Sequence, residues 1–426
     1  MKRIYTHLFC LLSLLGMLSC TDKYTEIFTA NEPVYMSYDE LRSAVQISYS
    51  RAPKHPGKIY YYGSMIFIIE KMEGIHIINI GVPSYPTIEK FIEVPGCTDM
   101  VVRNQTIYVD SYVDLVTVDI SDLMRIKETH RLKNVLPYKV PATDNEYPVT
   151  RIDQQKGVIR EWKVITEKRE LEPTYYPTYP MYDNLAHSNW SDNLSFGSAT
   201  GSGVGGLGKS GSMSRFGMQD NYLYIADNNS LNIFDVSGPP LNVGKAYLNT
   251  NIETMFVYDK HLFFGTPSGM MIYSLQVPNT PAYVSTFWHA TSCDPVVVQD
   301  GYAYITLRGG QVCHADFNRL DVVKLSADYK TNTLAASYNL TNPYGLAIEN
   351  NTLFVCDGTA GLKVYDATDK LAISSHQLAA FPDIKTYDVI PVNGYLFMVG
   401  DDGFFLYDYR DLQHIKQIGR IVVNKE

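Results

Sequence analysis

The sequence predicts an all-β chain, a seven-bladed β-propeller of four-stranded antiparallel blades with one long insertion between the second and third blades. Three observations predict it. A short apolar-aromatic segment recurs seven times along 426 residues. An alternating apolar segment follows each copy within a few residues. No helical period appears between them, which argues against a parallel sheet with crossover helices. The composition agrees. Hydrophobic residues make up 45% and charged residues 19%, enough apolar surface for a large core. Tyr, which favours half-buried pleated surfaces, occurs 33 times against 3 Trp.

The chain begins MKRIYTHLFCLLSLLGMLSC. Lys2 and Arg3 precede an apolar run, Leu8 to Leu18, of secretory-signal length and too short to span a bilayer. Leu18-Ser19-Cys20 resembles the lipobox of bacterial lipoproteins. That resemblance implies a signal peptide over 1–19, cleavage before Cys20, acylation of its thiol and delivery to the outer membrane. Acyl chains then hold the protein at a membrane without a spanning helix. Removing residues 1–19 leaves 34 basic against 45 acidic residues, a net charge of −11. Such a charge opposes a nucleic-acid partner. Residues 20–56 read as a lipid-anchored tether and approach segment. Within it, Ser37-Tyr38-Asp39-Glu40 is a capping box that opens a short helix through about Val45.

The propeller is expected over 57–423. The first motif is MIFI at 65–68, TIYV at 106–109, YLYI at 222–225, HLFF at 261–264, YAYI at 302–305, TLFV at 352–355 and YLFM at 395–398. Its aromatic residues are spaced by 41, 116, 39, 41, 50 and 43 residues. All but one interval fit the ~40–50 residues of a four-stranded blade. The exception exceeds the interval before it by 75 residues. The second motif includes GIHIIN at 74–79, DLVTVD at 114–119, SLNIFD at 230–235, GLKVYD at 361–366 and GFFLYD at 403–408. A third segment precedes several pairs, such as DMVV at 99–102 and GLAI at 345–348. Asp259-Lys260, Asp300-Gly301 and Asn350-Asn351 supply the turns. Radial packing of such meanders buries both faces of each sheet. Six or eight blades, or an open solenoid, are the alternatives.

The string GIHIINIGVPSYPTIEKFIEV, followed by IYVDSYVDLVTVDISD, resembles LVIVD-repeat proteins of Bacteroidetes-type bacteria. The resemblance implies an exported lipoprotein with a β-propeller fold, and it transfers no catalytic residue. Ser274 and Lys324 depart from the Asp that closes the repeated strand.

The excess falls at 139–213. Its first part, VTRIDQQKGVIREWKVITEKREL, alternates like an extra hairpin. A Tyr/Pro-rich stretch follows, and then a tract over 197–212 with seven glycines in 16 residues. Long insertions on rigid scaffolds are usual binding loops. Tyr175, Tyr176, Tyr179, Tyr182 and Trp190 are candidate contacts for a protein or glycan partner, or they pack the loop onto the propeller.

Gly203 to Ser210 formally fits GxxxxGK[ST]. A phosphate cradle needs a buried strand before it and a helix after it, and neither pattern is present. No nucleotide is expected. Asp99, Glu253, Asp294 and Asp388 recur near the starts of innermost strands, as a candidate axial acidic ring. Such a ring suits calcium, which takes oxygen ligands, or it accepts backbone donors between blades. Cys97, Cys293, Cys313 and Cys356 match no zinc or disulfide framework; buried thiols are the favoured reading and pairing the other. The preferred functional reading is a non-enzymatic envelope lipoprotein that binds a protein or glycan through its insertion and axial face. Its rival is a metal-assisted hydrolase or lyase at the channel mouth.

Overall fold

In a computed structural model, residues 24–144, 146–171, 197–198, 209–289, 295–309 and 317–423 are described. They fall into two compact units, one built from 24–38 with 139–171, the other from the rest.

The larger unit is the seven-bladed propeller. Its blades begin with the strands Pro56–Tyr62, Met100–Arg103, Phe216–Gln219, Thr254–Tyr258, Val296–Gln299, Leu346–Glu349 and Thr386–Val392. In each blade four consecutive strands pair in sequence order, every pair antiparallel. The first strands touch one another round the ring, and blade 1 meets blade 7 through them. Closure is apolar packing of the last blade on the first. Ile59, Ile66 and Ile68 share a buried cluster with Ile390, Val399 and Leu406, and Tyr61 stacks on Phe397 at 5.6 Å. No blade borrows a strand to complete its four.

The repeated motifs take places that their chemistry explains. The seven recurring aromatics, Phe67, Tyr108, Tyr224, Phe263, Tyr304, Phe354 and Phe397, all lie buried on second strands. Second and third strands are covered on both faces by neighbouring blades, so they are apolar almost throughout, as in Met65–Glu70 and Gly74–Asn79. Most fourth strands are largely exposed, as in Lys127–Leu132. Both residues of the turns Asp259-Lys260, Asp300-Gly301 and Asn350-Asn351 have positive φ. That is the twist two-residue hairpins require. All seven pairings of third with fourth strand carry a register shift. A bulge there sharpens the twist of each blade's outer edge.

The closing Asp of the repeated strand also has a local role. Asp119, Asp235, Asp366 and Asp408 each accept the backbone N–H two residues on. Those N–H donors hold the Asp119 and Asp235 carboxyls below the usual range. Ser274 does the same through its hydroxyl at 3.3 Å.

The helix is Tyr38–Ser43 and ends before Val45. The chain then turns extended, and Gln46–Ser48 pairs with Phe91–Glu93 on the outer edge of blade 1. Arg42 of the helix donates to the buried Asp114 at 3.0 Å.

The smaller unit differs from the expected tether and self-paired hairpin. Tyr24–Met36 pairs antiparallel with Val158–Leu171 as a long two-stranded ribbon. The second half of the predicted hairpin therefore finds its partner far away in sequence. Residues just before it cannot serve, because Gln154–Lys156 forms a 3-10 turn capped by Asp153. Buried Asn31 fastens the ribbon, donating 2.8 Å hydrogen bonds to the carbonyls of Asp144 and Tyr147. Trp162 Nε1 donates to Pro141 O at 2.7 Å.

Candidate functional site

The innermost strands surround the axis, and the end of the insertion fills part of it. Lys209–Ser210 pairs with Tyr60–Tyr61, becoming an extra inner strand on blade 1. Gly211 N–H donates to Ile59 O at 3.1 Å. Ser212–Met213 pairs with Gly197–Ser198. Contacts then run round the ring. Ser212 Oγ accepts Leu346 N–H of blade 6 at 2.5 Å, Ser212 N–H donates to Asp388 of blade 7 at 2.6 Å, and Ser214 O accepts Met255 N–H of blade 4 at 3.1 Å. Residues 209–214 are a plug.

Small residues are required there. A Cβ on Gly211 would stand 1.9 Å from Asp388 Oδ2, and one on Gly345 2.4 Å from Ser212 Oγ. Ser210, Ser212 and Ser214 are all buried, and each hydroxyl is small enough to fit where it also bonds or packs.

Two of the four candidate axial acids hold this plug. Asp99 Oδ2 accepts from Lys58 Nζ at 2.8 Å, Ser214 Oγ at 2.8 Å, Arg215 N–H at 2.5 Å and Phe216 N–H at 3.2 Å. Its Oδ1 accepts Met100 N–H at 2.8 Å. Asp388 Oδ1 accepts Ser212 N–H at 2.6 Å and Val389 N–H at 3.0 Å. Its Oδ2 is buried without a partner. Burial pushes the Asp388 carboxyl up to about 7, and it pulls the Lys58 ammonium below its ordinary range. Both acids accept backbone donors here, Asp99 from Arg215 and Phe216 and Asp388 from Ser212. Glu253 is half-buried, and its carbonyl accepts Nε of Arg215, the residue whose N–H Asp99 accepts, at 3.3 Å. Asp294 lies outside the described residues, as do Cys20, Tyr175, Tyr176, Tyr179, Tyr182 and Trp190.

Sequence reasoning missed Lys58, Ser212, Ser214 and Arg215. For Ser212 the one signal was the spacing of Gly and Ser through the tract, which resembles a linker more than a buried strand; Lys58, Ser214 and Arg215 had none. The formal phosphate motif also resolves. Lys209 sits in a strand, with its ammonium 3.3 Å from Glu349 and 2.5 Å from Pro391 O, and further strands follow it. A helix N-terminus to face a phosphate is thus missing after Ser210.

Cys97 and Cys356 are free, fully buried thiols, and burial raises both well above their ordinary range. Cys293 and Cys313 lie outside the described residues. Among the described residues, His55, Glu70 and Glu73 are a group whose ligand atoms come within 4.8 Å of one another. Glu70 is already engaged by Lys54 N–H, His55 N–H and His76 Nε2, and Glu73 by Arg51. The group braces the loops at one end of blade 1. No helix among the described residues is long and apolar enough to cross a membrane.

Residues 210–241, running from the plug through the third strand of blade 3, match the LVIVD repeat. No curated protein matches the chain by sequence. Solved structures align with it at low similarity. A computationally designed protein, Ika8, aligns with a TM-score of 0.47 at 9% identity, over 88% of this chain and 91% of its own. BamB from Moraxella catarrhalis aligns at 0.44 and 9%, over 87% and 100%. Hsv2 of Kluyveromyces lactis, with one loop replaced by a Gly-Ser linker, aligns at 0.45 and 10%, over 85% and 97%. Likenesses this distant carry no inference about function.

Proposed function

We propose that this LVIVD-repeat propeller is a non-enzymatic scaffold of the cell envelope, anchored to the outer membrane through lipid on Cys20 and binding a protein or glycan partner through its insertion and axial face. One observation carries the binding reading. The chain spends its own segment, residues 209–214, on filling the axis, so two of the acids that a hydrolytic centre would need are consumed as plug acceptors. What the ring then offers is a rigid surface of loops and an insertion springing from it, the usual arrangement of a binding module. The enzymatic rival loses Asp99 and Asp388 in this way.

Two experiments test the reading. Replacing residues 172–196 by a short Gly-Ser linker spares the plug and the paired strands. The variant is expected to keep the wild-type unfolding curve and to lose partner recovery after cross-linking in intact cells. Recovery at the wild-type level would sink the role of the insertion. For the anchor, Cys20→Ser is expected to move the protein from the detergent phase to the aqueous phase on phase separation. A variant that stays in the detergent phase would show that Cys20 carries no acyl chains.

A further inference from the structure

Six arginines among the described residues are half-buried: Arg42, Arg103, Arg131, Arg215, Arg308 and Arg319. Five donate to a protein acceptor: Asp114 for Arg42 and Arg131, Asn221 for Arg103, Glu253 O for Arg215 and Asp321 for Arg319. Arg308 does not. Its guanidinium stands over the Tyr344 ring, 4.2 Å from the centroid, and no N–H of it finds an acceptor among the described residues. Half-burial strips such a group of part of its water, so an unpaired guanidinium is a cost the fold carries.

The surroundings hold Arg308 in place. It follows the second strand of blade 5, Tyr302–Leu307. Tyr344 lies on the connection into blade 6, where Thr306 Oγ1 donates to its carbonyl at 2.6 Å and its N–H donates to Cys356 O at 2.7 Å. Tyr387, on the first strand of blade 7, packs edge-on to Tyr344 at 5.2 Å. The Tyr387 phenol donates to Asp401, and burial and that carboxylate push it above its ordinary range, so it remains a neutral ring. One cation and two half-buried tyrosines thus stand together at the loop end of blades 5 to 7.

We infer that Arg308, stacked on Tyr344, is a binding site for the carboxylate of an acidic sugar. Stacking uses a face of the guanidinium and leaves its N–H rim, the part that pairs bidentately with a carboxylate. Tyrosine rings offer amphipathic surface to the sugar beside it. The chain carries a net charge of −9, which repels a polyanion at long range. One half-buried guanidinium without an acceptor among the described residues, in an acidic chain, therefore suits a ligand with one carboxylate better than an acidic peptide. This inference deepens the glycan half of the proposed function, but its residues lie outside the insertion.

The test is titration of the detergent-solubilised full chain with glucuronate, glucose and a short oligoglutamate peptide, followed by NMR or calorimetry. Glucuronate is expected to bind saturably at about millimolar affinity and glucose not at all. Arg308→Gln is expected to weaken glucuronate binding roughly 10-fold or more, with Arg308→Lys between the two. Binding should also fall as salt rises. The 172–196 replacement should leave it intact, which separates failure of this site from failure of the insertion. Absence of saturable glucuronate binding, or an unchanged affinity in Arg308→Gln, would overturn the site. Tighter binding of oligoglutamate than of glucuronate would overturn the sugar assignment.

Discussion

Asp99→Ala is expected to destabilise the propeller by about 3–5 kcal/mol, the cost of leaving one partner of a buried ion pair behind. The measurement is the urea midpoint and slope of the variant against wild type. Asp99 is 3% exposed and one of its oxygens gathers four donors. Alanine strands the Lys58 ammonium, whose side chain is 13% exposed, together with the N–H groups of Arg215 and Phe216. Lys58→Met should cost less, because Asp99 keeps its hydroxyl and backbone donors. A loss under about 1 kcal/mol in Asp99→Ala would mean that water replaces these donors freely and that the plug is not a fixed part of the fold.

The second large effect is on pH dependence. Asp388 stands at about 7 in the folded chain against a reference value of 3.8. Burial is the first cause, opposed by Ser212, Val389 N–H and the charge of Lys58. The folded state therefore binds this proton more tightly than the unfolded state. Its stabilising contribution is full below pH 4, is lost as pH rises from about 4 to 7, and is flat above. The span amounts to at most about 4 kcal/mol at 1.36 kcal/mol per pH unit. Asp388→Asn removes the ionisation and keeps an acceptor for Ser212 N–H. Its amide leaves one unpaired group at every pH, a constant offset of about 1–3 kcal/mol. Urea unfolding at pH 4.5, 6 and 8 is thus expected to show wild type losing stability relative to the variant as pH rises. Parallel curves would show that Asp388 titrates near its ordinary value.

Much of the architecture was legible because repetition averages out local ambiguity. One segment such as YAYI is consistent with several structures. Seven copies, all but one interval nearly fixed, are consistent with stacked meanders, and Tyr304 and its six equivalents duly occupy one position on the second strands. The turn pairs were legible for a local reason, since Asp300-Gly301 can adopt positive φ at low cost.

The candidate site was legible only in half. Asp99 and Asp388 were visible as recurring acids, but their partners were not. Ser212 and Ser214 lie more than a hundred residues from the acids they serve, and no local pattern announces such a pairing. The same applies to the ribbon, where Ala30 faces Ile165 across a separation that alternation alone cannot bridge. Its second strand carried the right period but gave no indication of its partner.

By itself, the sequence determined the strand content, the number of blades, the type of their turns and the caps of their outer loops. These depend on short-range patterning and on residues a few places apart. Tertiary structure decided how the ring closes, which segment fills its axis and which half-buried arginine lacks an acceptor among the described residues. Those are long-range outcomes, settled by the room that Asp388 leaves beside Gly211 and by the acceptor that Arg308 lacks.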